Sequence, residues 1–256
     1  MKVIMRNIFI FLTLMLSVNA VAQSGKISGL NSREFNKYWK VESESPNYKV
    51  TFKGDTADII SPKGLTLWRK EKLRSDIIIE YDACVAIESE GDRLSDLNCF
   101  WMASDPKSPE SIWKREKWRG GIFERCYSLQ LYYLGYGGNN NTTTRFRRYQ
   151  GNEEGVKDPK CRPSIIKEYK DDSHLLKPNH WYHIKIMNRN NRVSFFIDGK
   201  CIVDYNDAKP LKEGWFGFRT TLSHTKITNF RYSIEQKGKL NIPLNWIGNS
   251  PKKDKP

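Results

Sequence analysis

The chain has 256 residues, 38% of them hydrophobic and 28% charged, and its 43 Lys and Arg outweigh 29 Asp and Glu for a formal net charge of +14. Such a length holds one or two domains, and a single large β domain falls well inside it. The basic balance favours anionic partners such as acidic glycans, nucleic acid or a membrane surface, but no helix-turn-helix, zinc-finger or RNA-binding signature supports nucleic acid.

Residues 1–22 read as a secretory signal. Lys2 and Arg6 make a basic start, residues 8–16 are apolar, and Ala20, Val21 and Ala22 form a small-residue cleavage site before Gln23. The apolar run is too short for a comfortable span, and no later stretch is apolar enough to cross a bilayer. An exported chain is therefore expected, periplasmic or extracellular, monomeric, with no membrane span once the signal is removed. Lys2 and Arg6 leave with the signal, so +12 remains.

Residues 23–34 are small and polar and read as a flexible entry to one domain over 35–235, followed by a basic tail at 236–256. Within the domain, Tyr48 to Phe52 alternates like a strand, and residues 58–61 and 65–68 give two more short runs separated by Pro62 and Gly64. Residues 75–87, SDIIIEYDACVAI, are rich in β-branched side chains and predict a central strand. A second central strand is predicted over 97–103, LNCFWMA, with Asn98, Phe100 and Met102 on one face and Leu97, Cys99, Trp101 and Ala103 on the other. Residues 104–119 suit a surface loop or short helix. Residues 129–134 lead as a strand into the most informative stretch of the chain.

That stretch, residues 132–149, reads YYLGYGGNNNTTTRFRRY. Its glycines permit a tight turn, its Asn and Thr side chains offer uncharged donors and acceptors, and Arg145, Arg147 and Arg148 add guanidinium forks suited to carboxylate, sulfate or phosphate. If the segment after the turn is extended, Arg145, Arg147 and Tyr149 share one face and Phe146 and Arg148 the other. Eight basic residues fall between 112 and 148 (Lys114, Arg115, Lys117, Arg119, Arg125, Arg145, Arg147, Arg148) against Glu116 and Glu124, so half of the excess charge lies near this stretch.

Residues 151–172 read as charged and irregular. Strands follow at 180–187 and 192–197, with a tight Asp198-Gly199 turn into 200–205, and the last strands are 215–221 and 226–234. About a dozen short strands with few helical patterns predict an all-β antiparallel sandwich. The five cysteines (Cys84, Cys99, Cys126, Cys161, Cys201) show no metal spacing. They suit buried small residues or one to two bridges, with Cys84–Cys99 the first pair to consider.

The run HWYHIKI, then VSFFIDGKCIVDY, then GWFGFRTTLSHTKITNFRYSI resembles the closing strands of concanavalin A-like jelly rolls. With LNCFWMASDP and the NNNTTTRFRRY segment, the chain resembles the secreted jelly-roll family of Bacteroidetes polysaccharide-utilisation systems, akin to YesU-like proteins that accompany rhamnogalacturonan breakdown. The resemblance spans roughly residues 35–235. It implies a concanavalin A-like jelly roll with a glycan site on one sheet, whereas activity transfers poorly between members of a fold.

A glycan site needs aromatic surfaces for sugar faces and planar polar groups for hydroxyls. Asn98, Trp101, Tyr133, Tyr136, Asn139, Arg145, Arg147, Arg148, Arg219 and His224 are the candidates, while Trp215, Phe216 and Phe218 read as core. Hydrolysis would use two carboxylates. The ExDxxE pattern of laminarinase-type jelly rolls is absent, and Glu124 is the best single acid. β-Elimination on a uronate needs an Arg or amide to neutralise the carboxylate and a Tyr or His to move protons. Arg145, Arg147, Asn139, Tyr133 or Tyr136, and His224 supply those parts. The leading expectation is a lyase acting on a uronate-containing polysaccharide. A non-catalytic glycan-binding jelly roll and a hydrolase using Glu124 are the alternatives. No cofactor is implied; calcium is possible at a jelly-roll edge, but no loop has a convincing acidic spacing.

Overall fold

The computed structural model describes residues 28–234. The signal-like residues 1–22 and the basic end at 236–256 lie outside them. After a short helix, Phe35–Tyr38, the strands in chain order are β1 Trp39–Ser43, β2 Lys49–Lys53, β3 Thr56–Ser61, β4 Leu65–Arg69, β5 Leu73–Arg74, β6 Ile77–Val85, β7 Leu97–Ser104, β8 Gln130–Gly137, β9 Thr143–Gln150, β10 Ile165–Tyr169, β11 Tyr182–Arg189, β12 Arg192–Ile197, β13 Lys200–Asn206, β14 Glu213–Thr220 and β15 Ser223–Ile234.

They form two antiparallel sheets. One is ordered β1-β4-β14-β7-β8-β9-β10, with β5 on β14, and will be called the front sheet; the other, the back sheet, is ordered β13-β12-β11-β6-β15-β3-β2. The all-β jelly-roll sandwich read from the sequence is the observed fold. β6 shows why the alternation works: Ile77, Ile79, Tyr81, Ala83 and Val85 are buried between the sheets, while Ile78, Glu80 and Asp82 on the other face are half-buried. The hairpin turn at Asp198 (φ 49°) and Gly199 (φ 78°) takes positive φ at both central residues, as a two-residue loop matched to strand twist requires.

The inter-sheet core is aromatic. Trp101 is fully buried, with its ring centroid 6.0 Å from both Phe146 and Phe195 and 5.6 Å from Tyr132. Phe216 and Phe218 pack in the same layer, around Trp39 and Phe230. A second apolar cluster lies outside the sandwich, on the far face of the front sheet. There Trp68, Phe100, Tyr133, Tyr149 and Trp215 are covered by Ile112, Cys126, Tyr127 and Leu129. Residues 105–129 therefore form a cover over part of the front sheet.

Two departures from the sequence reading have local causes. β10 lies within the stretch read as irregular; it is an edge strand bonded only to β9 and largely exposed, so it carries no alternation. In β7, the register shifts between Trp101 and Ser104, and Met102 sits at φ 53°. The bulge turns Met102 inward and Ala103 outward, reversing the parity expected for that pair. All five cysteines are free. Cys84 and Cys99 occupy strands of opposite sheets, β6 and β7, which corrects the expected pairing.

Candidate functional site

The register of the front sheet aligns one continuous cross-strand row on its outer face: Glu42, Thr66, Arg219, Asn98, Gly135, Arg145 and Glu168. The next row runs Lys40, Trp68, Gly217, Phe100, Tyr133, Arg147 and Ile165. The parity read from the sequence for 145–149 holds, since Phe146 faces the inter-sheet core and Tyr149 faces the cover. Five of the sequence-derived candidates, Asn98, Tyr133, Arg145, Arg147 and Arg219, thus share one face of one sheet.

Tyr133 stands at the centre of this group. Its phenol lies over Gly135, where a Cβ would fall 2.3 Å from the hydroxyl oxygen, so that position has no room for any other residue. Phe100, Phe123 and Tyr149 pack around the ring at centroid distances of 5.5, 5.6 and 5.7 Å. Burial pushes the phenol well above its ordinary range and the nearby Asp96 adds to this, while Arg219 and Arg147 pull it back. Tyr133 therefore keeps its proton at neutral pH, more firmly than a solvated phenol does.

Its neighbours supply the polar chemistry. Arg219 is 2% exposed, donates from Nη1 to the Gly121 carbonyl at 2.7 Å, and holds its guanidinium 5.5 Å from the Phe123 ring. Asn98 is 6% exposed and donates from Nδ2 to Asp96 at 3.2 Å, but its buried Oδ1 has no partner. Asp96 is itself gripped by Arg93. Arg147 reaches the Pro163 carbonyl with one nitrogen and acts electrostatically on Tyr127, Tyr133 and Tyr149. Arg145 is committed to Glu168 at 2.5 Å, and the bond holds the Glu168 carboxyl below its usual range.

Two residues that sequence reading missed belong to the group. Tyr127 and Arg162 meet at 5.6 Å, and both Arg162 and Arg147 oppose the burial that raises the Tyr127 phenol. Each sits in a segment with no strand periodicity, so no pattern pointed to either. Glu124 is half-buried in the turn Glu124–Ser128 of the cover, close enough to act on Tyr127.

The remaining candidates lie elsewhere. Trp101 and Tyr136 face the inter-sheet core; Tyr136 is 3% exposed and donates to the Leu175 carbonyl at 3.2 Å. Arg148 points to the opposite face from Arg147 and binds the buried Asp207 at 2.6 Å. His224 belongs to β15 of the back sheet, with Nε2 2.7 Å from Asp58 and Nδ1 3.6 Å from Asp92. Asn139 lies in the turn between β8 and β9, where Asn139, Asn140 and Asn141 all take positive φ, and its Nδ2 donates to Thr143 at 3.0 Å. Among the described residues, no group of three or more His, Cys, Asp or Glu is placed to hold a metal ion, and no helix is long and apolar enough to cross a membrane.

The cover is fixed by charge and by close backbone approach. Arg119 is fully buried and donates to Glu42 at 2.8 Å and to the Ile112 carbonyl at 2.7 Å. Gly121, at φ +73°, sits so close to the chain at 43–44 that a Cβ would fall 2.4 Å from the Glu44 nitrogen.

This architecture is that of the galectin-like and concanavalin A-like β-sandwiches. A Bacillus subtilis protein of unknown function with a galectin-like fold superposes at TM-score 0.65 with 17% identity, over 82% of this chain and 96% of that one. The lumenal domain of VIP36, in a Ca2+/Man3GlcNAc-bound form, gives 0.54 with 9% identity over 85% and 92%. The carbohydrate-binding module CBM66 from Bacillus subtilis gives 0.50 with 15% identity over 76% and 94%. At such identities the likeness is one of fold. In sequence, the chain belongs to the family described as domain of unknown function DUF6250, which it matches over residues 59–230. No curated protein matches it.

Proposed function

We propose that this protein is a carbohydrate-active protein that takes an acidic, uronate-containing glycan on the outer face of its front sheet. The observation that carries the reading is the convergence of Tyr133, Arg147, Arg219 and Asn98, whose buried Oδ1 is unpartnered, at the edge of an aromatic cover. The sandwich neighbours whose names refer to carbohydrate support a glycan ligand. The arginines select for its charge, because a guanidinium fork matches a carboxylate. Arg147 is the first contact for the uronate, with Arg162 beside it; Arg145 is held by Glu168 and acts by keeping the row in place.

β-Elimination is the reaction these groups fit. With the carboxylate neutralised by Arg147, the C–H beside it becomes more acidic; the Glu124 carboxylate beside Tyr127 takes that proton, the electron pair left behind forms the C=C bond as the glycosidic C–O bond breaks, and the leaving oxygen takes its proton from Tyr133. The signal-like N-terminus and the resemblance to polysaccharide-utilisation jelly rolls support the same reading: an exported protein meeting plant-type polysaccharide.

The test is incubation with pectins and glucuronate-rich glycans, following the absorbance of an unsaturated uronate and retention on the polymer. Rising absorbance is expected. Retention without it would remove the elimination step and leave a binding module; neither signal on any acidic glycan would overturn the reading.

A further inference from the structure

β1 and β2 end their respective sheets on the same side of the sandwich, and the chain crosses between them at residues 44–48. The two edges do not close against each other. Between them lies a groove of about 740 Å³, within the roughly 300–1,000 Å³ typical of small-ligand sites. Its walls are aromatic: Phe35 and Phe52, whose rings meet at 5.0 Å, Tyr48, which is 36% exposed, and Trp113 from the cover.

Its charged lining is cationic. Lys70 and Lys40 border it, and no carboxylate is among the lining residues. Lys70 donates to the Asn36 carbonyl, so its charge is not neutralised by that bond. Lys40 lies 5.5 Å from the Trp113 ring and pairs with Glu116 outside the groove. Flat aromatic faces beside the Lys70 ammonium, whose charge no carboxylate in the groove balances, match a sugar ring that carries an acid, whereas a hydrophobic peptide would leave that charge uncompensated. Lys40 is at the β1 end of the same outer-face row that holds Tyr133 and Arg147, with the cover between them.

We infer that this edge groove is a second binding site, for an acidic oligosaccharide, separate from the outer-face site. The inference stands on the groove alone. Its test is calorimetric titration of the full-length protein with trigalacturonate, and with maltotriose as the uncharged probe. The parent should show two classes of trigalacturonate site. Tyr48→Ala and Lys70→Gln should each weaken one class tenfold or more, in the parent and in an Arg147→Ala background, while Tyr48→Phe keeps it. A loss confined to Arg147→Ala, with both groove variants silent, would sink the groove and spare the outer face. Maltotriose binding as tightly as trigalacturonate, insensitive to Lys70→Gln, would overturn the acidic ligand. Groove variants that lower thermal stability but leave the titration unchanged would mean that the chain itself fills the groove, and would overturn the proposal too.

Discussion

Arg147 and Arg148 are adjacent in the chain and face opposite ways. Arg148 is spent on structure: its guanidinium and the Tyr132 hydroxyl both bond Asp207, which is 4% exposed. Burial alone would raise the Asp207 carboxyl, but the hydrogen bonds from Tyr132 and Lys209 and the Arg148 contact outweigh it and lower the value. The folded state therefore favours the ionised form, and this stabilisation is present above the unfolded value near 3.9 and lost as pH falls through the lowered one. Asp207→Asn should destabilise the fold by about 3 kcal/mol at pH 7, and in urea unfolding the gap to the parent should narrow as pH falls below the ordinary carboxylate range. An equal gap at both pH values would remove Asp207 from the acid response. Burial also pushes the Cys99 and Cys126 thiols up to about 12. A thiol reagent at pH 8 should modify the exposed Cys201 and the half-buried Cys161 and spare Cys99 and Cys126 until denaturant is added.

At the scale of elements, the cover closes part of the outer face of the front sheet. It buries aromatic residues that would otherwise lie on an open sheet, and it ends beside Tyr133 and Arg219. Gly121→Ala should loosen it, since the backbone there is left-handed and a Cβ meets the neighbouring chain. Hydrogen exchange across 105–129 should accelerate while that of β6 stays unchanged; equal protection throughout would show that the cover is held without this approach. Strand alternation was readable wherever one face is buried, as in β6 and β9. It failed at the β7 bulge, where Met102 reverses the parity, and at β10, where an exposed edge carries no pattern. In the cover, the short helical turns at 112–119 agree with the loop or short helix read at 104–119, but that the segment packs on the sheet through Ile112 and Cys126 was not readable, because irregular backbone has no period.

For the whole molecule, sequence order misled where the chain changes sheets. Arg219 and His224 are five residues apart, yet Arg219 lies near the end of the front-sheet strand β14 and His224 near the start of the back-sheet strand β15. Placing both on the one glycan-binding sheet of a jelly roll fails, because the chain changes sheets between them. By contrast, Asn98, Tyr133, Arg147 and Arg219 come from four separate strands whose register no local pattern fixes, and the sheet brings them to one face. In the proposed function this face reads the charge of a glycan through Arg147. Affinity electrophoresis in gels carrying polygalacturonate, or the same polymer fully methyl-esterified, is the test. The parent should be retarded by the free acid and not by the ester. In a Lys70→Gln background, where the edge groove no longer contributes, Arg147→Ala should lose that retardation about tenfold or more, the scale of one charge-assisted hydrogen bond. Equal retardation with and without Arg147 in that background, or of acid and ester in the parent, would mean that Arg147 does not read the charge of a glycan.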